Sequence, residues 1–182
     1  MFEIRIHGRG GQGSVTAAEL IASAAFYDGK FSQGFPSFGV ERRGAPVTAF
    51  ARIADKFIRL RSQIYEPDFI IVQDSSLVAG VKVYDGAQKG TIVLISSKQP
   101  ATSFNPPRGV KVVTVPAIDI AIKIIGKPII NTVLLGAFSK ISGLVLLKSV
   151  EQAIKEHFDD PEIVRKNIKA AREGYRINFL KL

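Results

Sequence analysis

Three clusters carry chemistry by residue type and spacing. The first is Gly8-Arg9-Gly10-Gly11-Gln12-Gly13, in which Gly8, Gly10 and Gly13 fit G-x-G-x-x-G. Glycines let a backbone turn tightly and approach an anion, and a helix that follows points free N–H groups at it. A nicotinamide dinucleotide also wants an acid about 20 residues on, for the ribose hydroxyls. Phe31-Ser32-Gln33-Gly34 offers none there, although Arg42 and Arg43 suit a 2′-phosphate. The same glycines also serve plain helix–sheet packing, so spacing alone leaves both uses open.

The second cluster is Ser37-Phe38-Gly39-Val40-Glu41-Arg42-Arg43-Gly44-Ala45-Pro46. Adjacent arginines pair in bidentate fashion with phosphate or carboxylate. They serve equally in pairing across an interface. The third is Asn131-Thr132, which can contact a ligand or simply cap a helix. Bond chemistry finds little support. His7 adjoins the glycine loop, where a lone histidine at a strand end reads as structural, and His157 lies in a polar helix. There is no triad, carboxylate pair or metal-ligand spacing, and the loop lacks the G-K-[ST] ending of a P-loop. We expect no catalytic and no metal-binding residue here; if the chain serves an enzyme, it does so as one subunit among several.

The elements that must position these clusters follow from periodicity. Phe2–His7 alternates as a strand, Gly8–Gly13 turns, and Ser14–Tyr27 is an alanine-rich helix closed by Asp28-Gly29. Lys30–Gln33 starts a strand that Gly34 and Pro36 cut short, leaving an irregular loop through Pro46. Val47–Ile53 and Phe57–Arg61 read as a hairpin. Phe69–Val72, Thr91–Ile95 and Val110–Val115 read as buried parallel strands. Asp74-Ser75-Ser76 is N-cap chemistry for a short helix.

Helices are predicted over Pro116–Ile125, Asn131–Leu147 and Val150–Phe158, the last opened by a capping box at Ser149–Gln152. Asp160-Pro161 caps a final helix striped by Val164, Ile168, Ala171, Tyr175 and Phe179. The sum is an α/β fold: a single-domain sandwich, mainly parallel and Rossmann-like, with a hairpin insertion and C-terminal helices.

Composition narrows the classes. The 182 residues hold 25 basic and 16 acidic side chains, a net charge of +9, and no cysteine. The chain therefore supplies no thiolate to an iron–sulfur cluster or zinc site. The charge alone raises a basic nucleic-acid-binding module, but it is spread along the chain without a basic arm. Pro128–Leu147 is long enough to cross a bilayer, yet Asn131 and Lys140 near its middle favour a buried helix. Met1–His7 carries Glu3 and Arg5, unlike a secretory signal.

Taken in order, the glycine loop, the Phe35–Pro46 segment, and Pro128-Ile129-Ile130-Asn131-Thr132 followed by Leu135-Gly136-Ala137-Phe138 resemble the gamma subunit of 2-oxoacid:ferredoxin oxidoreductases. The likeness covers nearly the whole chain and is nearest the pyruvate and 2-oxoisovalerate members. Glu41-Arg42-Arg43-Gly44-Ala45-Pro46 is far more specific than the glycine loop.

The resemblance implies one gamma-subunit domain over residues 1–182 in a cytoplasmic hetero-oligomer of the pyruvate synthase type. Such an enzyme oxidatively decarboxylates a 2-oxoacid to acyl-CoA and passes electrons to ferredoxin. Thiamine diphosphate, magnesium and [4Fe-4S] clusters are expected on the partner alpha, beta and delta subunits, in keeping with the missing cysteine. No nucleic-acid or membrane partner is expected. For this chain the resemblance implies assembly contacts and candidate coenzyme A or interface positions at Gly8, Arg9, Gly10, Gly11, Gln12, Gly13, Arg42, Arg43, Asn131 and Thr132. A stand-alone Rossmann-like nucleotide-binding oxidoreductase is the alternative. Isoleucine richness, one methionine and no tryptophan hint at a heat-adapted source.

Overall fold

A computed structural model describes residues 1–37 and 43–179. Strand β1 (Phe2–Arg9) sits inside a six-stranded sheet of order β2-β3-β1-β4-β5-β6. Strands β4 (Phe69–Val72), β5 (Ile92–Ser96) and β6 (Lys111–Val115) run parallel to β1 and to one another. β2 (Phe31–Pro36) and β3 (Pro46–Ala54) form an antiparallel hairpin on the other side of β1. The mainly parallel α/β reading holds.

The hairpin, however, is a different one from that expected. Phe57–Arg61 belongs to no strand, and β3 pairs instead with β2, register Phe35↔Phe50. Gly34 and Pro36 do not interrupt β2. A Cβ on Gly34 would come within 2.7 Å of the Ala18 carbonyl oxygen, so glycine lets the strand lie against helix α1 (Ser14–Tyr27). Pro36 is the last residue of an edge strand, where its missing N–H costs little.

The main core lies on one face of the sheet. Ile4, Ile6, Ala51, Phe69, Ile71 and Leu94 pack there against α1, α3 (Ala117–Ile125), α4 (Asn131–Ser142), α5 (Leu147–His157) and α6 (Pro161–Arg176). The alternate residues Ile70, Val72, Val93 and Ile95 face a smaller cluster with Leu77 of the one-turn α2 (Leu77–Gly80), Val83 and Phe104. Among the described residues no helix is long and apolar enough to cross a membrane. Helix α4 carries the apolar stretch and is buried without a break from Asn131 to Ser139.

Two helical boundaries and one buried helix face depart from expectation. α4 stops at Ser142, because Gly143 turns left-handed at φ 62°. α5 then starts at Leu147, so the expected capping box falls inside it. Asp28, just past α1, does the capping from a distance: its carboxylate accepts from the Leu146 N–H at 2.7 Å and the Ser149 hydroxyl at 2.5 Å. On α6 the fully buried line is Asn167, Ala170, Ala171 and Gly174, with Val164, Ile168 and Tyr175 only half-buried. The helix turned its small residues inward because α4 approaches to backbone contact.

Asp160 is the cap expected of it, accepting from the N–H groups of Glu162 at 2.7 Å and Ile163 at 3.1 Å, with Pro161 at the first turn. Asp160→Ala is expected to lower stability by about 1 kcal/mol. A denaturant midpoint that does not move would show that the cap contributes nothing.

Candidate functional site

Parallel strands deliver their carboxyl ends to one sheet edge, and the site is built there. After β1 the glycine loop folds on itself: Arg9 N–H donates to Gln12 Oε1 at 2.8 Å, and Gln12 N–H returns to the Arg9 carbonyl at 2.9 Å. Gly10 N–H donates to Ala45 O at 2.9 Å and Gly44 N–H to Gly10 O at 3.0 Å. The glycine loop and the end of the second motif are thus side by side. Arg43 lies exposed at this junction, bridged to Gly10. Arg42 lies outside the described residues.

Arg9 is the clamp between loops. Its Nε donates to Asp74 Oδ2 at 2.7 Å, Nη1 to the Gly44 carbonyl at 3.1 Å, and Nη2 to Ser76 Oγ at 2.8 Å. Burial alone would raise the Asp74 carboxyl, but hydrogen bonds from Ser76 and Arg9 outweigh it and hold Asp74 below its usual range. The pair leaves this corner with little net charge.

Asn131 joins from the far side. Ser14 Oγ donates to Gln73 Oε1 at 2.7 Å, and Gln73 Nε2 donates to Asn131 Oδ1 at 2.8 Å. This buried relay ties the starts of α1 and α4 to the residue after β4. It requires Gly8 and Gly13. A Cβ on Gly8 would fall 2.3 Å from Gln73 Oε1, and one on Gly13 would fall 2.4 Å from Asn131 Nδ2. Gly13 also has φ 75°, which strains any other residue. Thr132 turns away, donating to Asn167 Oδ1 of α6 at 2.9 Å. The structure therefore brings the glycine loop and Asn131 together and sends Thr132 into the helix packing.

Between them opens a cleft of about 570 Å³, lined by Gly11, Gln12, Gly13, Gln73, Asp74, Ser75, Ser96 and Pro128–Asn131, with Ile118 at one side. Helices α1 and α4 both begin on it, and neither start is capped by a side chain. Their first N–H groups leave a positive end of the backbone dipole facing the opening. Ser96, at the end of β5, is buried, and its hydroxyl has no hydrogen-bond partner. Gln73, Asp74 and Ser96 were missed as site residues. Their signal is positional: polar residues directly after buried apolar strands, at the end where parallel sheets bind ligands.

His7 is structural, as its place predicts. It is buried beside Arg5, whose Nε donates to His7 Nε2 at 3.1 Å. Burial first, and the Arg5 charge second, lower its pKa to about 4, so it is neutral at pH 7. Among the described residues no group of three His, Asp or Glu could hold a metal ion.

The fold is an α/β domain with a cleft at the carboxyl ends of its parallel strands. Residues 3–177 match the family described as pyruvate ferredoxin/flavodoxin oxidoreductase. The chain is 51% identical over 175 residues to pyruvate synthase subunit PorC of Methanocaldococcus jannaschii, covering 96% of each. It is 53% identical over 178 residues to the pyruvate/ketoisovalerate oxidoreductases common subunit gamma of Thermococcus kodakarensis, again covering 96% of each. The crystal structure of pyruvate oxidoreductase subunit PORC from Thermotoga maritima superposes with a TM-score of 0.84 at 35% identity, over 96% of this chain and 94% of that one. The chain belongs to this family, as a gamma subunit of a pyruvate/2-oxoacid:ferredoxin oxidoreductase. Neither the stand-alone nucleotide-binding reading nor the nucleic-acid reading is favoured by these relationships.

Proposed function

We propose that this subunit gives its enzyme a receiving cleft for the phosphate-bearing end of coenzyme A, together with contacts that hold the assembly. One observation carries the reading. Two uncapped helix N-termini open on the same cleft, Ser96 with its buried, unpartnered hydroxyl lies in its wall, and the lining carboxylate, Asp74, is already paired with Arg9. Phosphate oxygens accept from such helix N-terminal N–H donors without moving them. The glycine loop Gly8–Gly13 lets the backbone come close, while Gln73 fixes Asn131 and so the wall opposite. Arg42 and Arg43, in the neighbouring segment, suit the remaining phosphate charge.

In this reading the chain binds and orients the acyl acceptor and breaks no bond itself. The oxidative decarboxylation of the 2-oxoacid and the transfer of electrons to ferredoxin would be supplied in the cytoplasm by thiamine diphosphate, magnesium and [4Fe-4S] clusters held by partner alpha, beta and delta subunits, not by residues of this chain. The zero cysteine count fits that division of labour.

The test uses the assembled enzyme. Ser96→Val and Asn131→Leu are each expected to raise the KM for coenzyme A about tenfold, a loss of roughly 1.4 kcal/mol, with the 2-oxoacid KM unchanged. Replacing Arg42 and Arg43 together with Ala is expected to raise the same constant or to loosen the complex. A coenzyme A KM that stays put in all three variants removes the cleft from the reaction.

A further inference from the structure

The opposite edge of the sheet carries a surface that the cleft does not use. Phe31 opens β2, and Phe57 follows the end of β3; their rings meet edge to face at 6.1 Å. Both are exposed, Phe57 by 73% and Phe31 by 47%. Met1, Phe57 and Leu60 line one shallow hollow of about 450 Å³ with Lys56, Arg59 and one carboxylate, Asp55. The segment is held in place: Ile58 is buried, and its carbonyl accepts from Gln33 Nε2 at 3.3 Å. Phe57 and Leu60 on either side are left facing water. This is the stretch expected to be the second strand of a hairpin, and it pairs with none. Its cations Lys56, Arg59 and Arg61 are exposed, and among the described residues none of them is in an ion pair.

From this we infer that the Phe31–Phe57–Leu60 corner is a docking surface for an apolar, acid-rimmed face of another subunit of the same enzyme. The inference rests on the assembly role proposed above and specifies where it is exercised. Paired aromatics in a rim of three cations and one carboxylate, Asp55, have the composition of an interface centre and leave the corner net positive. The charge selects the partner. A second copy meeting this corner across a two-fold axis would set Lys56, Arg59 and Arg61 against their own like charges. A partner carrying Asp and Glu around an apolar hollow satisfies both the rings and the rim.

The experiment is co-expression of the tagged chain with the other subunits of its enzyme, followed by affinity capture. Phe57→Asp with Leu60→Asp is expected to reduce captured partner at least tenfold, with circular dichroism and thermal midpoint of the chain unchanged. Arg59→Glu with Arg61→Glu is expected to reduce capture and to reverse its dependence on salt, whereas Arg59→Lys with Arg61→Lys retains it. Wild-type stoichiometry in both the aspartate and the glutamate variants overturns the inference. So does a free chain that dimerises and is dispersed by Phe57→Asp. Neither result touches the coenzyme A test, because Ser96 and Asn131 lie at the other sheet edge.

Discussion

Gly136→Ala and Gly174→Ala are each expected to destabilise the chain by about 3 kcal/mol. Propensity alone predicts the opposite sign, since alanine is better than glycine inside a helix by about 1 kcal/mol. The contact between α4 and α6 decides otherwise. A Cβ on Gly136 would fall 1.9 Å from the Ala171 carbonyl oxygen, and one on Gly174 would fall 2.0 Å from that of Val133. Both obstacles are backbone, so no side chain can rotate aside. The helices must part, which opens gaps along the whole contact and stretches the Thr132–Asn167 hydrogen bond, now 2.9 Å. The two effects share one contact and are not expected to add. Gly80→Ala supplies the comparison, because nothing lies within 4 Å of its would-be Cβ. Urea unfolding of the three variants checks the ranking; equal midpoints would mean that the two helices do not meet as described.

Acidification from pH 6.5 to 4 is expected to remove on the order of 3 kcal/mol of stability through His7 alone. The sign follows from its pKa, lowered from 6.5 to about 4 in the folded chain. In that window the unfolded chain binds a proton that the folded chain refuses. Stability is therefore complete above pH 6.5, falls as pH drops towards 4, and changes no further from this group below that. The cause is local. His7 is buried, and its Nε2 must stay unprotonated to accept from Arg5. Arg5 is fixed in turn by the carbonyls of Val83 and Asp85. Carboxylates held below their usual range, Asp74 and Glu151, contribute stability that is lost only as pH falls through and below that ordinary range, at the acid end of the His7 window and beyond it. His7→Gln keeps an acceptor without a titrating group and is expected to flatten the curve between pH 6.5 and 4.5. An unchanged slope in that variant would assign the acid sensitivity elsewhere.

Local chemistry was legible wherever one short segment decides its own conformation. The strand–glycine loop–helix unit, the Asp160-Pro161 cap and the buried parallel strands all appear, although the first strand runs past His7 through Gly8 and Arg9, because both residues pair with β3, and the turn is confined to the residues after them. The hairpin partner was not legible. Gly34 and Pro36 look like breakers until α1 is seen lying 2.7 Å from where a Cβ would be. The capping of α5 was not legible either, because its acceptor Asp28 lies 118 residues from Leu146.

The site divides in the same way. Gly13 marks its turn by residue type, with Gly11 beside it, whereas Gly8 lies inside β1 and Gly10 in a bridge to Arg43; Asn131 was legible only within the segment that carries the family resemblance. Gln73 and Ser96 carry no such mark. One acquires meaning only by standing between Ser14 and Asn131, the other only by ending a strand beside two helix starts.

By itself, then, the sequence determined an α/β chain with an anion-ready loop, a family likeness, and no thiol with which to hold a cluster. Tertiary structure alone decided which residues share the cleft, which glycines admit a neighbouring backbone, and which aromatics are left facing out. The physical reason is range. Backbone conformation and capping act over a few residues, whereas packing and buried hydrogen bonds join positions that only the folded chain makes neighbours.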